Sequence, residues 1–126
     1  MNQQAHIRLP GNPSSAGTAR RFVRDVLITW GRQELIELTE LLANELVTNS
    51  VLHADSEVEL AVNMEGDRLR VEVRDENPQA PIRKDYSLSA ATGRGLVLVE
   101  ELSADWGSER ANDGKVVWFE LAGEAS

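Results

Sequence analysis

Residues 56–77 read SEVELAVNMEGDRLRVEVRDEN, and their pattern decides the fold. Val58, Leu60, Val62 and Met64 alternate with polar neighbours, Glu65-Gly66-Asp67 supplies turn residues, and Leu69, Val71 and Val73 resume the alternation. Period two on both sides of a short turn predicts a β-hairpin with one apolar face. Outward from this hairpin the periods change. Upstream, Ala19, Phe22, Val23, Val26, Leu27 and Trp30 recur at three and four, with Ser14 or Ser15 as N-cap and Gly31 as C-terminal stop. That is an amphipathic helix with Arg20, Arg21 and Arg24 toward solvent. Before it, HIRLP reads as a short edge strand ended by Pro10.

A second helix is predicted over Glu34 to His53, with Leu35, Leu38, Leu41, Leu42, Leu46 and Leu52 in a stripe about 140° wide at about 100° per residue. Glu45, Asn49 and His53 fall inside this stripe, four residues apart. A carboxylate on a core-facing stripe is costly unless partnered or solvated, so the placement calls for a reason. Downstream of the hairpin, residues 76–95 contain Pro78 and Pro81 with Ser, Ala and Gly and follow neither period, which suggests a functional loop or lid. LVLVEELSA then reads as a short buried helix starting at Gly95 or Leu96. DWGSER, the turn ANDG and KVVWFEL make a second hairpin. Strand, helix, helix, two strands, loop, helix and two strands imply an α+β two-layer sandwich, a mixed but mainly antiparallel sheet with helices on one face.

The chain has 126 residues, 41% of them apolar and 27% charged, so one globular domain over 1–126 is expected. No cysteine is present, which removes disulfides, thiolate nucleophiles and Cys-based zinc sites and fits a reducing cytoplasm. No run approaches the ~20 apolar residues that span a bilayer, so no membrane association is expected. A net charge of -8 disfavours direct nucleic-acid binding and points to protein partners. The phosphate loop G-x-x-x-x-G-K-[ST] and the strand-G-x-G-x-x-G-helix unit are both absent. His6 and His53 alone cannot build the usual catalytic zinc site, and no hydrolase triad has a nucleophile context.

Three constellations remain. Glu45 and Asn49, one helical turn apart, offer an ionised and a neutral oxygen that suit Mg²⁺ or a water beside it; equally, both can sit solvated at a helix edge. His53 fits a cap on the last turn. Asp75 ends an apolar strand, where it either accepts a hydrogen bond from a buried donor such as an adenine amino group or opens a turn with Asn77-Pro78. Thr92, Gly93, Arg94 and Gly95 precede a helix, so their N–H groups either meet a phosphate or form a plain loop-to-helix junction.

In order, ELVTNSVLHA, VEVRDENPQAP, TGRGLVLVEELSADWG and GKVVWFEL resemble the GHKL ATP-binding fold. More closely they resemble the anti-sigma-factor serine/threonine kinases and their small single-domain relatives in actinobacteria. The resemblance runs from IRLPGNPSSAGTARRFVRDVL almost to the end of the chain. It implies a Bergerat-type fold, ATP and Mg²⁺ as cofactors, Asn49 on the metal and Glu45 as base or water-orienting carboxylate. It also implies Asp75 on the adenine amino group, and Asn77, Thr92, Gly93, Arg94, Gly95 and Leu96 around the nucleotide. The family pattern D-x-G is here Asp75-Glu76-Asn77, with Asn at a position where glycine tolerates left-handed angles best. By resemblance the γ-phosphoryl group passes to a serine or threonine of a STAS-domain antagonist, and the unphosphorylated antagonist frees a sigma factor. The same kinship implies a possible homodimer. A nucleotide-binding module that regulates its partner by contact alone is the alternative; a histidine-kinase fragment fits less well, because no helix pair bearing a phosphorylatable histidine is expected.

Overall fold

The computed structural model describes residues 2–54, 57–75, 93–111 and 114–123, without the side chains of 52–54, 93–97 and 110–111. The expected order of elements is present: β1 (Asn2–Leu9), α1 (Ser15–Thr29), α2 (Ile36–Ala54), β2 (Val58–Glu65), β3 (Arg68–Asp75), α3 (Gly93–Leu102), β4 (Asp105–Ala111) and β5 (Gly114–Ala122). A single 3₁₀ turn, Gln33–Leu35, leads into α2. The strands form one sheet in the order β1-β2-β3-β5-β4, and each of these neighbours pairs antiparallel.

The period-two pattern does what it predicted. Val58, Leu60, Val62 and Met64 of β2 and Leu69, Val71 and Val73 of β3 are all buried, and register places Leu60 opposite Val73 and Val62 opposite Val71. On β5, Val117, Phe119 and Leu121 continue the same layer. Helices α1 and α2 pack on each other, and α2 lies against β2 and β3. Ala19, Val23 and Leu27 are the innermost residues of α1; Phe22, Val26 and Trp30 flank them. The expected two-layer α+β sandwich is therefore formed, with an antiparallel five-stranded sheet.

Helix α1 ends as its glycine foretold. Gly31 adopts φ 71°, its N–H reaches the carbonyl of Ile28, and the N–H of Arg32 reaches that of Leu27 at 2.8 Å. These two bonds close a Schellman stop that needs a left-handed residue. At the other end Ser14 holds the N-cap position, yet its hydroxyl donates to Asn12 rather than capping, while the Ser15 hydroxyl donates to the Pro10 carbonyl. Strand β1 is longer than HIRLP alone because its eight residues pair with the full length of β2.

The outer face of the sheet is polar. Glu120 accepts from Arg68 and Arg70, each at 2.9 Å, and Arg70 also lies 4.1 Å over the Trp118 ring. Burial disfavours the charge on Glu120, but the hydrogen bonds from Arg68 and Arg70 outweigh it and hold that carboxyl below the ordinary glutamate value. Their contribution to stability is therefore complete above the unfolded value and fades as pH falls through the lowered one. Gly107 faces Trp118 across the β4–β5 pair, and a Cβ there would lie 2.9 Å from the ring atom Cζ2. Gly107→Ala should therefore displace the ring and cost about 1–3 kcal/mol. Denaturant unfolding checks this, and a variant as stable as the parent would show that the ring yields freely.

Candidate functional site

The polar residues of α2 occupy a border. At about 100° per residue, its buried residues Thr39, Leu42, Ala43, Leu46, Val47, Asn49 and Ser50 fill an arc of about 160°. This arc is turned away from the leucine stripe: Leu41 is 39% exposed and Leu38 only partly buried, while Thr39, Ala43, Val47 and Ser50 face inward. Small side chains share the inward positions with Leu42 and Leu46, while Leu38 and Leu41 lie on the flank. The reading of the helix as a leucine-centred stripe is corrected accordingly. Asn49 then sits at one margin of the buried arc and Glu45, half-buried, just outside it. Glu45 is thus at a helix edge, while Asn49 is buried rather than solvated.

Asn49 itself is 2% exposed. Its Nδ2 donates to the backbone carbonyl of Glu45 at 3.0 Å, which points the amide oxygen away from the helix axis. Oδ1 is buried with no hydrogen-bond partner among the described residues. A buried amide oxygen without a donor is costly, and a hard cation or a donor brought by a ligand would relieve that cost. Mg²⁺ binds by few protein oxygens together with substrate phosphates, so a lone amide oxygen beside a half-buried carboxylate fits it. Among the described residues no group of three or more His, Cys, Asp or Glu could hold a metal alone.

Asp75, the last residue of β3, lies in the inward phase of its strand and is 1% exposed. Directly opposite on β5 is Lys115, whose ammonium donates to Asp75 Oδ2. Neither side chain reaches solvent. Sequence reading placed Lys115 inside a plain strand and missed this pairing, although a signal was available. Lys115 shares the phase of Val117, Phe119 and Leu121, all core residues, just as Asp75 shares that of Val71 and Val73. Two charges at core phase on strands that pair are the mark of a buried ion pair.

Helix α3 begins at Gly93, two residues before the predicted start. Gly93, Arg94, Gly95 and Leu96 are thus its first turn rather than the approach to it. Their N–H groups are the four that an α-helix leaves without intrahelical partners, and they stand at its positive end. Two glycines, poor helix formers, masked this turn in the sequence. Helix α2 touches both α3 and β3, so it is the shared neighbour of the α3 helix and of the strand ending in Asp75. Thr92, Asn77, the side chain of His53 and most of the expected lid over 76–95 lie outside the described residues. Among the described residues no helix is long and apolar enough to cross a membrane.

Two solved structures share this fold. The crystal structure of the RsbU and RsbW domains of Rv1364c from Mycobacterium tuberculosis matches with a TM-score of 0.75 at 21% identity over 98% of this chain. The histidine kinase domain of the blue-light activated histidine kinase EL346 from Erythrobacter litoralis matches with a TM-score of 0.58 at 23% identity over 90% of this chain. The chain spans 33% of the first and 61% of the second. No curated protein matches it closely enough to count as a relative. The histidine kinase-like ATPase domain family matches residues 9–121, a stretch that takes in Glu45, Asn49, Asp75, Lys115 and the first turn of α3, and the chain belongs to that family.

Proposed function

We propose that the protein is an ATP-binding regulator of the anti-sigma-factor type that transfers the γ-phosphoryl group of ATP to a serine or threonine of a STAS-domain antagonist. The observation that carries this reading is the buried, partnerless Oδ1 of Asn49, one helical turn from the carboxylate of Glu45. Asn49 would hold Mg²⁺, which supplies charge neutralisation at the phosphates when bound. Glu45, outside the buried arc, accepts or steers the proton of the incoming hydroxyl. The first turn of α3 offers N–H groups to phosphate oxygens, with Arg94 adding positive charge, and Thr92 and Asn77 are assigned to the same nucleotide by family pattern. Asp75 accepts the adenine amino group. In phosphoryl transfer, positioning and electrostatics are most of what the protein contributes, and this residue set suits that task. The partners proposed are the antagonist and a sigma factor, with the chain acting in the cytoplasm as a homodimer.

Regulation by contact alone is the second reading, and one observation favours it: the carboxylate of Asp75 already holds a buried cation. Titration calorimetry with ATP in the presence and absence of Mg²⁺ separates the two. Metal-dependent binding supports the kinase, and no binding at millimolar ATP leaves contact alone. Asn49→Ala should weaken Mg²⁺-ATP by about tenfold or more, the worth of one interaction with a charged group. Affinity without the metal should change little. Equal losses with and without Mg²⁺ would remove Asn49 from the metal.

A further inference from the structure

Helix α2 gives the candidate site a direction. Only residues 55–57 separate its last residue, Ala54, from Val58, which faces Asp75 in the β2–β3 register. Four Cα steps span at most about 14 Å, so Asp75 belongs to the C-terminal end of α2. Asn49 and then Glu45 follow toward its N-terminal end. With the base at Asp75 and the phosphates at Asn49, an acceptor hydroxyl reaches Glu45 from the N-terminal side, and what lies there is apolar. At about 100° and 1.5 Å per residue, Leu41 and Leu38 stand within about 40° of Glu45 around the helix axis, and about 6 and 10 Å from it along that axis. Leu41 is 39% exposed and Leu38 half-buried; with Glu34 and Glu37 they line an open hollow of about 470 Å³. Single exposed leucines are ordinary on a protein surface. These two differ in sharing a helix face with the carboxylate assigned to the chemistry. The rim of the hollow is acidic: Glu34 and Glu37 are both exposed, and Arg32, 3.6 Å from Glu34, answers only that one among the described residues.

We propose that the hollow over Leu38 and Leu41 is the docking shelf for the protein substrate, and that it takes an acceptor segment with an apolar side chain about 6–10 Å from the acceptor hydroxyl and a lysine or arginine beside it. The inference rests on the reading that Glu45 meets that hydroxyl. Phosphoryl transfer needs the acceptor held in line with the γ-phosphoryl group, and a side chain seated on the shelf sets the register of the segment without touching the reacting atoms. Covering the two leucines removes apolar surface from water, which supplies affinity. Glu37 supplies the sign: it attracts a cationic segment and repels an acidic one. The net charge of -8 works in the same direction at longer range. Leu38 and Leu41 act by binding alone, taking no proton and holding no phosphate.

The test follows transfer from Mg²⁺-ATP to the STAS-domain antagonist that wild-type protein phosphorylates, with kcat and KM for the antagonist measured separately and ATP affinity read by titration calorimetry. Leu41→Ser should raise that KM about tenfold, the worth of covering much of a leucine side chain. Its kcat should stay within about twofold and its ATP affinity should not move. Leu41→Met, which keeps the apolar volume, should hold KM within about twofold of wild type. Glu37→Gln should raise KM about threefold at low salt, and the difference should fade as salt rises. If Leu41→Ser does not fold, the salt dependence of Glu37→Gln carries the test in its place. A folded Leu41→Ser protein with the wild-type KM overturns the proposal. So does a loss confined to kcat, which would set Leu41 behind Glu45 rather than under the substrate. Sedimentation in which Leu41→Ser dissociates a wild-type dimer while KM is unmoved would give the shelf to a second copy of this chain, and it also overturns the proposal. Wild-type protein that phosphorylates no STAS-domain protein strikes the proposed function and the shelf with it, whereas transfer with an unmoved KM strikes the shelf alone.

Discussion

Glu45→Ala should lower phosphoryl transfer to the antagonist by roughly 10²–10⁴-fold, the usual contribution of a positioned general base, while ATP affinity stays within about threefold. The separation of the two effects follows from how α2 is built. The amide of Asn49 is anchored by the backbone carbonyl of Glu45, not by its side chain, so removing the carboxylate leaves Asn49 where it is. Glu45 also lies just outside the buried arc, so its truncation opens no hole in the core. Initial rates of phosphate incorporation, paired with calorimetry of ATP binding, would read both quantities. Unchanged transfer would remove Glu45 from the chemistry, and a parallel loss of binding would recast it as part of the nucleotide cradle.

Asp75→Ala should be the most destabilising single change at the site. It removes the anion to which the buried ammonium of Lys115 donates, and breaking a buried pair by removing one member costs about 3–5 kcal/mol. For a domain of this size the melting temperature should drop by about 10 °C or more. Removing both charges is different in kind. Asp75→Leu combined with Lys115→Met should recover most of the stability, because apolar side chains of similar size can replace a buried ion pair at little cost. On the proposed contact of Asp75 with the adenine amino group, the double variant should still bind ATP more weakly than the parent. Thermal melts of the three proteins decide the matter, and an Asp75→Ala protein as stable as the parent would mean that the ammonium finds water.

The sheet was legible because the alternation of β2 and β3 admits only one burial phase. Val58 to Met64 and Leu69 to Val73 leave no second choice, and the C-terminal hairpin follows the same rule. Helix α2 was legible as a helix but not in its orientation. Six leucines outweighed Thr39, Ala43, Val47 and Ser50, yet these smaller side chains fill the inward positions beside Leu42 and Leu46, and only Leu38 and Leu41 among the described leucines of the helix stay partly open. Once the arc is turned, Glu45 and Asn49 move from the middle of an apolar stripe to its margin, where a polar residue can meet both the core and a ligand. The Asp75–Lys115 pair escaped for a different reason. Periodicity marks each charge as inward on its own strand, but only the β3–β5 pairing, which links residues forty positions apart, shows that they compensate each other.

Strand β5 leaves the ribosome after the other four strands, yet in the sheet it stands between two of them, β3 and β4. Until residues 114–122 emerge, β3 carries an open edge, β4 lacks this neighbour, and Asp75 waits for its cation. The 113 residues before β5 therefore present an unfinished sheet with exposed backbone donors and acceptors, the kind of edge that recruits other chains. Closing the sheet and assembling the buried pair are one event. The strand that covers the open edge of β3 is thus also the one that carries Lys115 to Asp75.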